Sequence, residues 1–287
     1  MSGNDSTLDG LDCLSTWLKR TGRRRLLSLI VDCSNLSQLR YISTPWTDPF
    51  TVLLSILLEY APRWERLEFN HINESSLNIL CAELHDDCLP GLKSLSFSGE
   101  EAGVIRISDY RYRFPVQWRL SKLVCLSLVF DLIDLENLQM GFHLSQLTSL
   151  TLRTRRKGWI SGQMDFHGVL DLLSCCPRLE ECNLQYDWRP TIMTELTRTR
   201  TVLLENLTIF WFASLRDPQY LLRALELPCL REFEFQYLVS TVNNPLLLDR
   251  SPLDDLLNRS GLKCKSWSHQ PETNMCQLKA IPIEETL

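Results

Sequence analysis

A six-residue unit, apolar-x-x-apolar-x-apolar, recurs about nine times along the chain, each time after a segment with helical apolar spacing. The frames start at Leu26, Trp64, Leu92, Leu123, Leu147, Leu179, Leu204, Leu230 and Cys264, with steps running from 24 residues (Leu123 to Leu147) to 38 (Leu26 to Trp64). A supersecondary unit repeated at this period cannot bury its apolar face alone and must stack on its neighbours. The expected fold is therefore α/β: a leucine-rich-repeat solenoid of about nine irregular repeats, with a curved parallel sheet on the concave face and helices on the convex face.

The bare unit is not specific. With 44% apolar residues, three fixed apolar positions recur by chance in about 24 windows. Other features sharpen it. Leucine supplies 56 of 287 residues, and proline stands two positions before the frame at Pro62, Pro90, Pro177 and Pro228. Random placement would give about 0.4 such prolines. Ala61-Pro62-Arg63-Trp64-Glu65-Arg66-Leu67-Glu68-Phe69 aligns without gaps to Cys176-Pro177-Arg178-Leu179-Glu180-Glu181-Cys182-Asn183-Leu184. Proline cannot continue the preceding helix and pushes its predecessor toward extended geometry, so it stops the helix and launches the strand.

Apolar residues at helical spacing predict helices over Phe50–Leu58, Leu77–Leu84, Phe166–Leu173, Tyr220–Leu225 and Leu253–Leu257. Thr47-Asp48-Pro49, Asp217-Pro218 and Ser251-Pro252 place a capping residue before a proline in the first turn. These apolar stripes read as core. The expected division is a disordered N-terminus (1–7), an N-terminal helix of the array (8–25), the solenoid (26–269) and an incomplete terminal repeat or tail (270–287). In the last segment, Pro282 and Leu287 repeat the spacing of Pro62 and Leu67, as if a tenth repeat begins and stops.

Composition narrows the function. The net charge of −5, from 30 basic and 35 acidic residues, argues against nucleic acid, which needs a basic footprint. The local clusters Lys19-Arg20 with Arg23-Arg24-Arg25, and Arg153 with Arg155-Arg156-Lys157, read as solvated ends and loops. Met1–Gly10 is polar and acidic, unlike a signal peptide, and no stretch reaches the length of a membrane span. A cytoplasmic or nuclear protein with no membrane contact is expected. The 11 cysteines fit free, buried thiols.

Chemistry is sparse. No C-x-x-C and no H-x-x-x-H occurs, and Cys81, His85 and Cys88 alone do not close a zinc site. Neither a G-x-S-x-G elbow nor a P-loop is present. The expectation is a protein without enzymatic activity, metal or cofactor.

The residues between the apolar positions should form the exposed sheet face. They run from Arg66, Glu68 and Asn70 through Ser94, Ser96 and Ser98, then Cys125, Ser127 and Val129, then Ser149, Thr151 and Arg153, to Glu181, Asn183 and Gln185. From the frame at Leu204 the next repeat presents Asn206, Thr208 and Phe210, and the one after it Glu232, Glu234 and Gln236. The face is neutral and small in the middle and acidic toward its C-terminal side. Trp159, Tyr186, Trp188, Phe210, Trp211, Phe212 and Tyr237 follow the strands in successive repeats, close to Arg153, Arg155, Arg156 and Arg189. Clustered Trp, Tyr and Arg are typical of binding hot spots. Strand parity points Phe210 and Phe212 outward, whereas Tyr186, Trp211 and Tyr237 have core as the alternative. The long segment from Glu100 to Arg119, with Tyr110 and Tyr112, is a second candidate contact. The candidate partner-binding residues are Trp159, Trp188, Arg189, Phe210, Phe212, Arg153, Arg155, Tyr110 and Tyr112.

Three strings carry a family resemblance: Leu11-Asp12-Cys13-Leu14-Ser15-Thr16-Trp17-Leu18-Lys19-Arg20-Thr21-Gly22, Ala61-Pro62-Arg63-Trp64-Glu65-Arg66-Leu67 and Leu256-Leu257-Asn258-Arg259-Ser260-Gly261. With the irregular repeat length, they make residues 8 to 287 resemble the leucine-rich part of fungal, mushroom-type F-box proteins. That resemblance implies recruitment of a protein client to a ubiquitin ligase, with a Skp adaptor and cullin as further partners. The segment before the first frame departs from it. Leu8, Leu11, Leu14 and Leu18 describe one amphipathic helix rather than an F-box bundle. The resemblance thus carries over client recognition, while this segment holds no recognisable F-box to carry adaptor docking. The alternatives are a free-standing scaffold or competitor, and a truncated product without function.

Overall fold

Seven consecutive units, from Trp64 to Leu230, open with the same turn. In the computed structural model of the chain, the N–H of Leu92 donates to the carbonyl of Leu89, Leu123 to Leu120, Leu147 to Leu144, Leu179 to Cys176, Leu207 to Leu204 and Leu230 to Leu227, at 3.0–3.3 Å. Trp64 donates likewise to Ala61. Pro62, Pro90, Pro177 and Pro228 occupy the second position of these turns, where their fixed φ is already correct and no N–H is needed. Proline thus shapes the turn itself, beyond ending a helix.

One residue further the backbone begins to pair with the previous unit. Lys93 donates to Glu65, Val124 to Lys93, Thr148 to Val124, Glu180 to Thr148, Thr208 to Glu180 and Arg231 to Thr208, each at 2.8 Å. Strands then follow: β1 (Leu27–Asp32), β2 (Trp64–Ile72), β3 (Ser94–Gly99), β4 (Cys125–Val129), β5 (Ser149–Arg153), β6 (Glu181–Tyr186), β7 (Val202–Leu203), β8 (Ile209–Ser214), β9 (Leu225–Glu226), β10 (Glu232–Leu238), β11 (Leu262–Gln270) and β12 (Met275–Pro282). The structure describes residues 5–22, 25–34, 49–84, 88–99, 120–129, 138–139, 142–153, 166–186, 200–214, 218–238, 250–270 and 275–282.

The architecture is α/β. Ten strands form one large, mostly parallel sheet in the order β1-β2-β3-β4-β5-β6-β8-β10-β12-β11, and β7 and β9 pair in parallel by themselves. The helices are α1 (Asp5–Arg20), α2 (Pro49–Leu58), α3 (Glu74–Glu83), α4 (Phe166–Ser174), α5 (Gln219–Ala224) and α6 (Ser251–Arg259). The last five match the five predicted helices. Their caps do not all follow the expected chemistry. Arg250 rather than Ser251 is the N-cap of α6, without a side-chain bond. The unforeseen cap is Asn73, whose Oδ1 accepts from the Ser76 N–H at 2.9 Å and satisfies a free donor of α3.

The core lies between sheet and helices and draws four positions from each unit. Counted from the frame residue they are −3, 0, +3 and +5: Leu144, Leu147, Leu150 and Leu152 in one unit, Leu227, Leu230, Phe233 and Phe235 in another, all buried. Burying each such side chain contributes about 2 kcal/mol before chain entropy is charged against it. Aromatic rings stack along the +5 row, with Phe69 on Phe97 at 6.0 Å and Phe212 on Phe235 at 5.8 Å.

Three frames differ from expectation. Leu204 is a turn residue, and the seventh frame starts at Leu207, since β6 pairs Cys182 with Phe210 and Leu184 with Phe212. Both frames satisfy apolar-x-x-apolar-x-apolar, because Ile209 happens to be apolar. A slip of three residues is odd and turns every side chain of the strand to the other face. In the first unit a register shift at Leu27/Ser28 puts Leu27 opposite Trp64 and leaves Leu26 exposed. The ninth frame does not continue the parallel ladder. β12 inserts between β10 and β11 and runs antiparallel to both. Met275–Pro282 is therefore a strand within the sheet, where a tail or incomplete repeat was expected. At the other end α1 starts at Asp5, inside the segment expected to be disordered.

Side chains bridge the units where backbone cannot. Arg63, Gln146 and Asn206 each stand one position before a frame, and each donates to a turn carbonyl of the preceding unit: Arg25, Leu120 and Pro177, at 2.8, 2.6 and 3.0 Å. Arg259 of α6 donates to the carbonyls of Leu222 and Leu225, both at 2.8 Å, which caps the free C-terminal end of α5.

Leu207→Ala and Phe212→Ala should each cost about 3 kcal/mol in urea unfolding, whereas Leu203→Ala, at a 48% exposed position, should change stability by under about 0.5 kcal/mol. Leu207 is core in either frame, so Phe212 decides between them: a negligible cost at Phe212 would restore the frame at Leu204. Leu150→Asp should unfold the central units, because it buries an unpaired charge; retained cooperative melting would refute the assigned core.

Candidate interaction surface

Strand parity divides the sheet into a core face and an outer face. On the outer face, three rows of side chains cross the strands in register. The first runs Ser28, Arg66, Ser94, Cys125, Ser149, Glu181, Ile209, Glu232. The second runs Ile30, Glu68, Ser96, Ser127, Thr151, Asn183, Trp211, Glu234, Lys279. The third includes Ser98, Val129, Arg153, Gln185, Ala213, Gln236 and Gln277. The predicted face residues of the other units, from Arg66 to Gln236, stand on this face as expected. In the seventh unit Ile209, Trp211 and Ala213 replace Asn206, Thr208 and Phe210.

Phe210 and Phe212 are therefore not contact residues. They are 1% and 2% exposed; in the core Phe210 packs tilted against Phe233 and Phe212 stacks on Phe235. Trp211, for which core was the alternative, projects outward and is half-buried. Tyr237 is core, stacked on Phe235. The missed signal lay in strand alternation: Phe210, Phe212, Phe233 and Phe235 form one alternating aromatic set in two consecutive units. Arg153 is exposed on the outer face, and its Nε donates to Asn183 Oδ1 at 3.3 Å. Of the other candidates, Trp159, Trp188, Arg189, Arg155, Tyr110 and Tyr112 lie outside the described residues.

The two ends of this face differ in charge chemistry. Toward β2, Arg66 and Glu68 pair at 3.0 Å, and Asn70 donates to the same carboxylate. The centre is a field of serines and a threonine around Cys125. That thiol is held above its ordinary range, first by burial and then by the negative charge of Glu181, with Arg66 opposing. A thiol so disposed is a poor nucleophile. Cys81 and Cys176, in the core, are pushed up to about 12 by burial and serve as packing groups.

Glu234 anchors the acidic end. Its Oε1 accepts from Gln236 at 3.0 Å and Gln277 at 2.6 Å, and its Oε2 lies 3.2 Å from Lys279 Nζ. Burial works to raise its pKa, but the hydrogen bonds from Gln236, Gln277 and Lys279, with the lysine charge, outweigh burial and hold it below its ordinary 4.5. The donors come from β10 itself and from β12, so this carboxylate also ties the antiparallel pair to the parallel sheet. Among the described residues no three His, Cys, Asp or Glu side chains converge on a metal site, and no helix is long and apolar enough to cross a membrane.

A carboxylate with a lowered native pKa stabilises the fold above its unfolded pKa and loses that contribution as pH falls through the native value. Stability should thus decline on acidification below about pH 4.5, and Glu234→Gln should flatten that part of the curve in urea unfolding followed against pH. An unchanged acid limb would mean the carboxylate is not coupled to folding.

No protein-family model, no curated protein and no solved structure matches this chain.

Proposed function

We propose that the chain is a protein-recognition module without enzymatic activity, built as a leucine-rich-repeat solenoid whose parallel sheet is the concave, client-binding face and whose helices form the convex face. The observation that carries this reading is the outer sheet face. Eight parallel strands present graded rows of side chains, from serine-rich to acidic, around one half-buried tryptophan. Large sheets of this kind usually work as surfaces, and tryptophan is the residue most enriched at binding hot spots. The resemblance to F-box receptors points to a client delivered to a ubiquitin ligase in the cytoplasm or nucleus, with a Skp adaptor and cullin as further partners.

A second reading is a scaffold or competitor that binds the same client without a ligase. It is favoured by the N-terminal segment. Asp5–Arg20 is a single helix whose Leu18 is buried in the core, and Thr21 behind it accepts a hydrogen bond from Arg63 at 2.9 Å. A helix committed to the array in this way is not free to act as an adaptor-docking bundle.

Affinity purification of the tagged chain from its native cell, followed by mass spectrometry, tests both readings. A client that is lost on Trp211→Ala, with melting unchanged, supports recognition through the sheet face. Adaptor and cullin in the same eluate support the ligase link, and a client without them supports the scaffold. A client retained in full by Trp211→Ala and by substitutions across the outer face would overturn recognition through this surface.

A further inference from the structure

The outward residues of β8 are all apolar: Ile209, Trp211 and Ala213. The strands on either side are polar at the matching positions. Glu181 and Glu232 are both register partners of Ile209, one on each side. Glu234 is engaged by Gln236, Gln277 and Lys279. Glu181 and Glu232 are exposed, and neither has a counter-ion among the described residues. Two strands apart in a sheet, their Cα atoms stand roughly 9.5 Å from each other. An apolar row is thus flanked at one end by two carboxylates with no counter-ion among the described residues.

A cation on an aliphatic stem matches that arrangement. Its stem would lie along Ile209, and its charged head would sit between two carboxylates that have no counter-ion among the described residues. Trp211, two residues along the same strand, lies about 7 Å from Ile209, close enough for a guanidinium or ammonium to reach over its ring. A neutral or acidic segment would leave the two glutamates facing apolar or like-charged groups, which costs binding. We propose that β8 and its two flanking glutamates recognise an arginine- or lysine-bearing segment of a protein partner. This rests on the recognition reading above and specifies the chemistry of what is recognised.

The test uses the full chain and labelled, randomised nonamer peptides whose central residue is fixed as Arg, Glu or Ala. The Arg-centred pool should be retained about tenfold better than the Glu-centred pool at low salt, with the preference shrinking as salt is raised. The double variant Glu181→Gln with Glu232→Gln should abolish the preference without changing the melt, and Arg66→Gln at the far end of the face should leave it intact. Equal retention of the pools would overturn the proposal. So would a double variant that keeps the preference. If Trp211→Ala lowers retention and the double glutamate variant does not, the basic-segment inference falls and recognition through this face stands. If neither variant alters retention, both fall.

Discussion

A turn and a ladder govern this structure together. From Leu92 to Leu230 the frame residue of each unit closes back on the carbonyl three positions earlier, and the next residue pairs with the unit before. The first bond fixes the direction in which the chain enters the strand. The second fixes its register. Because buried backbone groups must be paired, neither can slip alone, and the identities of the core side chains follow. Position 0 packs under the turn, and positions +3 and +5 point into the layer between sheet and helices.

Register explains both the permissiveness of this core and its limits. Trp64, Cys176 and Cys182 take positions held elsewhere by leucine and remain buried. Trp64 does so with its indole N–H unpaired among the described residues, a cost of about 1–3 kcal/mol that a Phe would avoid. Aromatic residues concentrate at +5, where neighbours in successive units meet face to face. The polar side chains at −1 then join unit to unit at the turns, where Arg63, Gln146 and Asn206 perform the same job with three different donors.

Much of the fold was legible because burial imposes a period. Leucine at fixed offsets announced six frames correctly, from Trp64 to Leu179 and again at Leu230, and apolar spacing announced five helices. The site was legible in part. Polar face residues such as Glu181, Glu232 and Arg153 were assigned correctly because they stand between unmistakable leucines. Phe210 and Phe212 were assigned to the wrong face, and Trp211 was left open, because the seventh unit holds apolar residues at nearly every position from Leu207 to Ala213. Where both faces of a strand are apolar, alternation within that strand carries no information, and only the match to Phe233 and Phe235 in the next unit could have placed Phe210 and Phe212.

The sequence by itself determined the unit, the alternation of helix and strand, and the acidic drift of the exposed face, since each follows from local spacing and from which side chains tolerate burial. Only the tertiary structure decided the parity of β8 and the fate of the last two strands. Parity there depends on which carbonyl of the neighbouring unit accepts the Thr208 N–H, a contact 28 residues away in sequence. The antiparallel insertion of β12 depends on the free edge of β10, and on Gln277 and Lys279 meeting Glu234 across it. Nothing in the local pattern of either strand records that edge, because pairing between strands is a property of the assembled sheet.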